Sequence, residues 1–276
     1  MAGYFKDNLM VIGCDLRNEI RLTRQVILST YIWKLVFCMF IIIYRMFESG
    51  MLSKLPLFKF PSWGTGFRND WAIAAEKAGN EIHKANPNIL IIVQGTNWFH
   101  NRSNFNHHHS LGIFHLELFD KSYPQTLKHV LKRPIVLQVP DKVVYSTHDY
   151  TWQHRYVDFG NGKEYQEGGP EHQRVIETME RRWGRVADKY PVWIGEFGTY
   201  HGQTFDHFWK WLLDYMKSKD LVGFSYWCLD GTQSTATGRT LGAEEGYGLL
   251  NMDWSDYASK PHLESVQKLM ETLWIE

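Results

Sequence analysis

Two acidic residues stand where parallel strands would deliver them. Val192-Trp193-Ile194-Gly195 is an apolar run closed by glycine, the pattern of a buried parallel strand, and Glu196 follows at once, before Phe197-Gly198. Val11-Ile12-Gly13-Cys14 reads the same way and leads through Asp15-Leu16-Arg17-Asn18 to Glu19. Carboxylates at the carboxyl ends of strands occupy the position where α/β folds place their chemistry. Two of them facing one cleft can hydrolyse a glycosidic bond, one as nucleophile or base and the other as proton donor. The plainer alternative makes Glu19 and Glu196 two surface acids among 30 Asp and Glu. Their strand-end placement and the aromatic residues around them favour a site.

Composition narrows the partners. Lys plus Arg and Asp plus Glu both number 30, so no net charge draws the chain to nucleic acid. Aromatic residues make up 15%, with 12 Trp, enough to fill a core and also to line a groove on which sugar faces stack. Cys14, Cys38 and Cys228 have neither a disulfide framework nor metal-ligand spacing. Lys6 and Asp7 interrupt any apolar run at the start, so Met1 to Asn8 is not a signal peptide and the compartment stays open.

The elements that must position these acids alternate along the chain. Strands are expected over Leu9–Asp15, Ile89–Val93, Lys142–Ser146, Val192–Gly195 and Leu221–Tyr226. Between and after them come helices. Asp70–Asn86 should bury Trp71, Ala75, Ala78, Ile82 and Ala85, with Asp70 as cap. Glu171–Lys189 should bury Val175, Met179, Trp183 and Val186 after Pro170. Phe205–Lys219 carries Phe208, Trp209, Leu212, Tyr215 and Met216, and Pro261–Trp274 carries Leu263, Val266, Met270 and Leu273. A short helix is expected around Gln125–Leu131. Residues 99–123 read as a polar loop whose His107, His108 and His109 are too close in sequence to converge on one metal.

Strand-helix alternation implies a parallel sheet covered by helices, and polar or aromatic strand ends suit a (β/α)8 barrel. Five strands cannot close eight, so the fold expected is α/β, either an open sheet or a partial TIM barrel with about five of its eight strand-helix units. Residues 21–62 stand apart. Val26 to Phe47 is apolar except around Lys34 and Arg45, about the length that spans a bilayer. Three readings stay open: a membrane or interface segment over residues 26–47, a hydrophobic insertion packed on the domain, and a non-native stretch such as a translated intron.

The strand ends resemble glycoside hydrolase family 5, the cellulase-like retaining glycosidases, over residues 8–20 and 63–276. Asn18-Glu19 resembles the family's Asn-Glu pair that holds the acid/base, and Gly195-Glu196-Phe197-Gly198 its nucleophile motif. His148-Asp149-Tyr150 is similar to the family's His-x-Tyr, Trp227 to its sugar-stacking Trp, and Gly242 to Gly248 to its last active-site loop. Ile20 stands where the family usually has Pro, and the family's first three strands, which bring an Arg and a His, have no counterpart. The resemblance therefore implies one catalytic domain over 1–276, amino-terminally truncated and interrupted by 21–62. It implies retaining hydrolysis of a β-linked polysaccharide or oligosaccharide, without metal or organic cofactor, and suggests secretion. Glu196 would be the nucleophile and Glu19 the acid/base. Asn18 would bind the sugar 2-hydroxyl, Tyr150 would hydrogen-bond Glu196, His148 would tune Glu19, and Trp227 and Trp98 would stack on sugar. The alternatives are an inactive, sugar-binding remnant and a membrane-associated protein.

Overall fold

The computed structural model of the protein describes residues 2–8, 10–18, 61–97, 125–154, 166–235 and 239–274. Glu19, Trp98, the three adjacent histidines and residues 21–60, including the apolar span 26–47, lie outside them. Among the described residues no helix is long and apolar enough to cross a membrane. The chain forms two compact units, Met1–Val143 and Val144–Glu276.

In the first unit β1 (Gly13–Asp15) pairs in parallel with β2 (Leu90–Gln94), Asp15 opposite Ile92, and α1 (Trp71–Ala85) connects them. The Asp70 carboxylate caps α1 by accepting from the Ala72 N–H. The helix buries Ala72, Ala75, Gly79 and His83, so its inner face is rotated from the stripe expected, and Ala85 is exposed. The cause is a crossing segment. Arg133 pairs with Glu76, the Val136 N–H donates to Glu76 Oε1 at 2.8 Å, and the Gln138 N–H donates to Asn80 Oδ1 at 2.8 Å. Ile82 and Ala85 instead line an apolar cavity of about 500 Å³ together with Ala2, Phe5 and Val11.

Gln125–Thr126 is not the start of a helix. It is strand β4, antiparallel to β3 (Thr96–Asn97), and turns follow it. Leu127 and Val130 are fully buried, so their three-residue spacing marks two anchors of a turn rather than a helical face.

The second unit runs β5 (Val143–Tyr150), α2 (Pro170–Met179), a π-helical turn (Glu180–Gly184), α3 (Arg185–Ala187), β6 (Val192–Gly198), α4 (His207–Lys217), β7 (Gly223–Tyr226) and α5 (Lys260–Trp274). Both β5 and β7 pair with β6 in parallel. The expected apolar faces of the two middle helices are buried: Val175, Met179, Trp183 and Val186, and then Phe208, Trp209, Leu212, Tyr215 and Met216. On α5 the inner face is His262, Val266 and Leu269, and Met270 points out. A buried histidine leads that stripe, which a count of apolar residues overlooks.

β6 carries the feature that places Glu196. Val192 and Ile194 are buried on one face, as a period of two requires. Thr147 pairs with Ile194, but His148 pairs with Glu196, so Gly195 is the extra residue of a bulge. The pairing with β7 slips over the same stretch, between Ile194 and Phe197. After the bulge Phe197 takes the buried face, stacked on Trp209 of α4 at 5.8 Å, and Glu196 turns to the other. A Cβ at the bulge would crowd Ser146 Oγ and lie 3.3 Å from the His148 ring, so glycine leaves both side chains their room.

Candidate active site

Within the second unit the Glu196 carboxylate is gripped from β5. The Tyr150 hydroxyl donates to Glu196 Oε2 at 2.7 Å, and His148 Nδ1 stands 3.3 Å from the same oxygen. His148 and Tyr150 are two residues apart on one strand, so both face the same way. The Glu196 side chain keeps 18% of its exposure while that of His148 keeps 2%, so the carboxylate opens to solvent from a buried support. Burial, and then the negative charge of Glu196, push the Tyr150 hydroxyl far above its ordinary pKa, so it acts as a neutral donor at any ordinary pH. His148 thus meets Glu196, while Glu19, which the resemblance would have it tune, lies outside the described residues.

Aromatic rings border this group. Tyr150 stacks with Trp152 at 6.4 Å and meets Tyr247 edge-on at 5.9 Å, and Tyr247 lies 4.4 Å from Tyr200. Trp227 follows β7, its N–H donating to the Phe197 carbonyl at 2.9 Å, and stays 37% exposed. Gly198 closes β6 where a Cβ would lie 2.7 Å from the Trp227 carbonyl oxygen and 3.1 Å from the Tyr247 ring. Beside Tyr200 opens a cavity of about 300 Å³ lined by His201, Gly202, Gln233, Glu244 and Gly246. Tyr200, Tyr247 and Trp152 were missed as site residues in the sequence. Only Tyr247 had a signal, inside the Gly242–Gly248 motif.

Behind β5, on the face away from Glu196, lies a second charged group. Asp149 is fully buried, and burial alone would raise its pKa. The Arg182 guanidinium at 3.1 Å, His154 Nε2 at 2.7 Å and the Trp183 indole N–H at 2.7 Å outweigh that and hold it down at about 2.

In the first unit Asn18 follows β1 and is exposed. Gln94, at the end of β2, donates its side-chain N–H to Asp15 Oδ2 at 2.7 Å and to Asn18 Oδ1 at 3.3 Å. The amide therefore orients Asn18 at the carboxyl end of β1, one residue before Glu19.

An acid set on a parallel strand end, met by a tyrosine and a histidine and bordered by aromatics, is the kind of strand-end site that (β/α)8 enzymes carry. The chain belongs to the cellulase family, glycosyl hydrolase family 5, whose model matches residues 1–233. It is 31% identical over 277 residues to an endoglucanase of Paenibacillus polymyxa, across 98% of this chain and 52% of that protein. The chain thus spans about half the length of this curated relative. A cellulase–inhibitor complex superposes with a TM-score of 0.62 at 24% identity, covering 98% of this chain and 60% of that one. The endocellulase of the archaeon Pyrococcus horikoshii in complex with cellotetraose gives a TM-score of 0.52 at 26% identity, over 76% and 51%. The fold is accordingly a partial (β/α)8 barrel.

Proposed function

We propose that this chain carries the catalytic strand ends of a retaining β-glycosidase acting on β-linked glucan, with Glu196 as nucleophile and Glu19 as acid/base. The observation that carries the reading is the grip on Glu196: the Tyr150 hydroxyl at 2.7 Å and His148 at 3.3 Å on one carboxylate oxygen. The Tyr150 hydroxyl, donating to Oε2, orients the carboxylate and leaves attack to Oε1. In the first step Oε1 bonds to the anomeric carbon while the bond to the leaving oxygen breaks. That oxygen takes the Glu19 proton. Water then attacks the same carbon, gives its proton to Glu19 and frees Glu196. Asn18, oriented by Gln94, would bind the 2-hydroxyl, a contact that strengthens in the transition state. Trp227, and Trp98 beyond the described residues, would supply ring faces for the sugars.

Support for the substrate class comes from the relatives: one is named an endoglucanase, and another was crystallised with cellotetraose. The reading requires the Glu19 and Glu196 carboxyl groups to come within about 5–5.5 Å of one another, the separation of retaining enzymes. The test is hydrolysis of a soluble β-glucan followed by proton NMR. First appearance of the β-anomer, and loss of turnover in Glu196→Ala and Glu19→Ala, is the expected result. The α-anomer first, or turnover surviving in either variant, would reject the assignment. Oligosaccharide binding without turnover in the unaltered chain would favour the sugar-binding remnant.

A further inference from the structure

We propose that Asp149, Arg182 and Trp183 form a buried positioning device that sets Tyr150 and His148 against Glu196. The proposal rests on the reading of Glu196 as nucleophile. Asp149 lies between His148 and Tyr150 on β5, so its side chain leaves the opposite face of the strand. There Asp149 Oδ1 accepts from Arg182 Nη1 at 3.1 Å and meets His154 Nε2 at 2.7 Å, and Oδ2 accepts from the Trp183 indole at 2.7 Å. Arg182 Nη2 donates to the His148 carbonyl at 3.0 Å and to Gln153 Oε1 at 2.8 Å. One guanidinium therefore holds the backbone of the residue whose ring meets Glu196, the carboxylate of the next residue, and the turn beyond Tyr150. Arg174 extends the hold by donating to the His154 carbonyl at 2.7 Å.

Stability alone does not account for this group. A buried ion pair is seldom better than well-packed apolar residues of the same volume, because both charges lose their water. What it adds is direction, several fixed hydrogen bonds converging on one strand end. The helix behind breaks its own regularity to supply them. Adjacent residues of an α-helix point about 100° apart. The π-helical turn Glu180–Gly184 holds Arg182 and Trp183 where both reach Asp149. Turns of this kind are rare, and many sit at functional sites.

The test uses the full chain with both charges removed together, Asp149→Leu with Arg182→Met, so that neither is left buried alone. We expect a folded protein whose kcat on soluble β-glucan falls about a hundredfold, the effect of a misplaced reacting group, with KM held within about twofold. Its crystal structure should show the Tyr150 hydroxyl drawn beyond about 3.5 Å from Glu196, out of hydrogen-bonding range. Wild-type kcat, or the short Tyr150–Glu196 contact retained, would overturn the proposal. Should the unaltered chain show no turnover, the proposed function fails and the crystallographic distance still decides the positioning. If the double variant does not fold, Trp183→Phe removes one hydrogen bond from Asp149 while keeping a ring in place. It should lower kcat about tenfold, and an unchanged kcat would overturn the proposal.

Discussion

Replacing Tyr150 with Phe removes a single oxygen from the surroundings of Glu196. A hydrogen bond to a charged group contributes about 1.5–3 kcal/mol, so Tyr150→Phe should lower kcat/KM about 10- to 100-fold with the fold intact. Steady-state kinetics and circular dichroism check both halves of that statement. A second residue-scale expectation concerns pH. His262, buried between the Tyr226 and Thr204 hydroxyls, is held by burial at about 4, below its ordinary 6.5. His129 is likewise held at about 4, by burial and by Lys128 and Lys132. The unfolded chain binds these protons first on acidification. Their contribution to stability is therefore complete above the ordinary value and is lost as pH falls through about 4. Urea unfolding at pH 5 rather than 7 should show stability lower by on the order of 1 kcal/mol per histidine, allowing for partial solvent access. His262→Gln should flatten part of that slope. Asp149, depressed to about 2 from an ordinary 3.8, acts in a lower window: its contribution is complete above the ordinary value and is lost as pH drops toward 2.

At the scale of elements, the strand end is the sensitive part. Gly198→Ala would push a methyl against the Trp227 carbonyl, 2.7 Å from the ideal Cβ position, and backbone cannot rotate away as a side chain can. We expect a loss of about 1–3 kcal/mol by thermal unfolding, together with reduced turnover. The same element shows how far sequence reading reaches. The run from Val192 to Gly195 marked the strand because apolar burial is written in residue type. The bulge at Gly195 was not legible, since a glycine in a strand signals several geometries and only the pairing with His148 decides among them. Tyr150 and His148 were legible through the family motif, and the structure adds that both meet one oxygen of Glu196. Arg182 left no trace, because an arginine on an amphipathic helix reads as solvent-facing. Its 4% exposure follows from a π-helical turn that no local preference announces.

For the molecule as a whole, the alternation of strands and helices was enough to reach a parallel sheet covered by helices, because period and order survive without any tertiary contact, but the choice between an open sheet and a partial barrel needed the family motifs. The β-strand at Gln125 escaped because its two residues are too short to show a period. Catalysis as proposed needs both Glu19 and Glu196, so a chain cut between them is expected to show no turnover of β-glucan. Covalent trapping tests directly whether Glu196 is the nucleophile. A 2-deoxy-2-fluoro β-cellobioside with a good leaving group, incubated with the protein and followed by peptide mass spectrometry, slows release of the glycosyl-enzyme so that its attachment point can be read. One 2-deoxy-2-fluorocellobiosyl group on the peptide containing Glu196, and no adduct in Glu196→Gln, is the expected result. An adduct on a different residue, or turnover of β-glucan with no adduct formed, would contradict it.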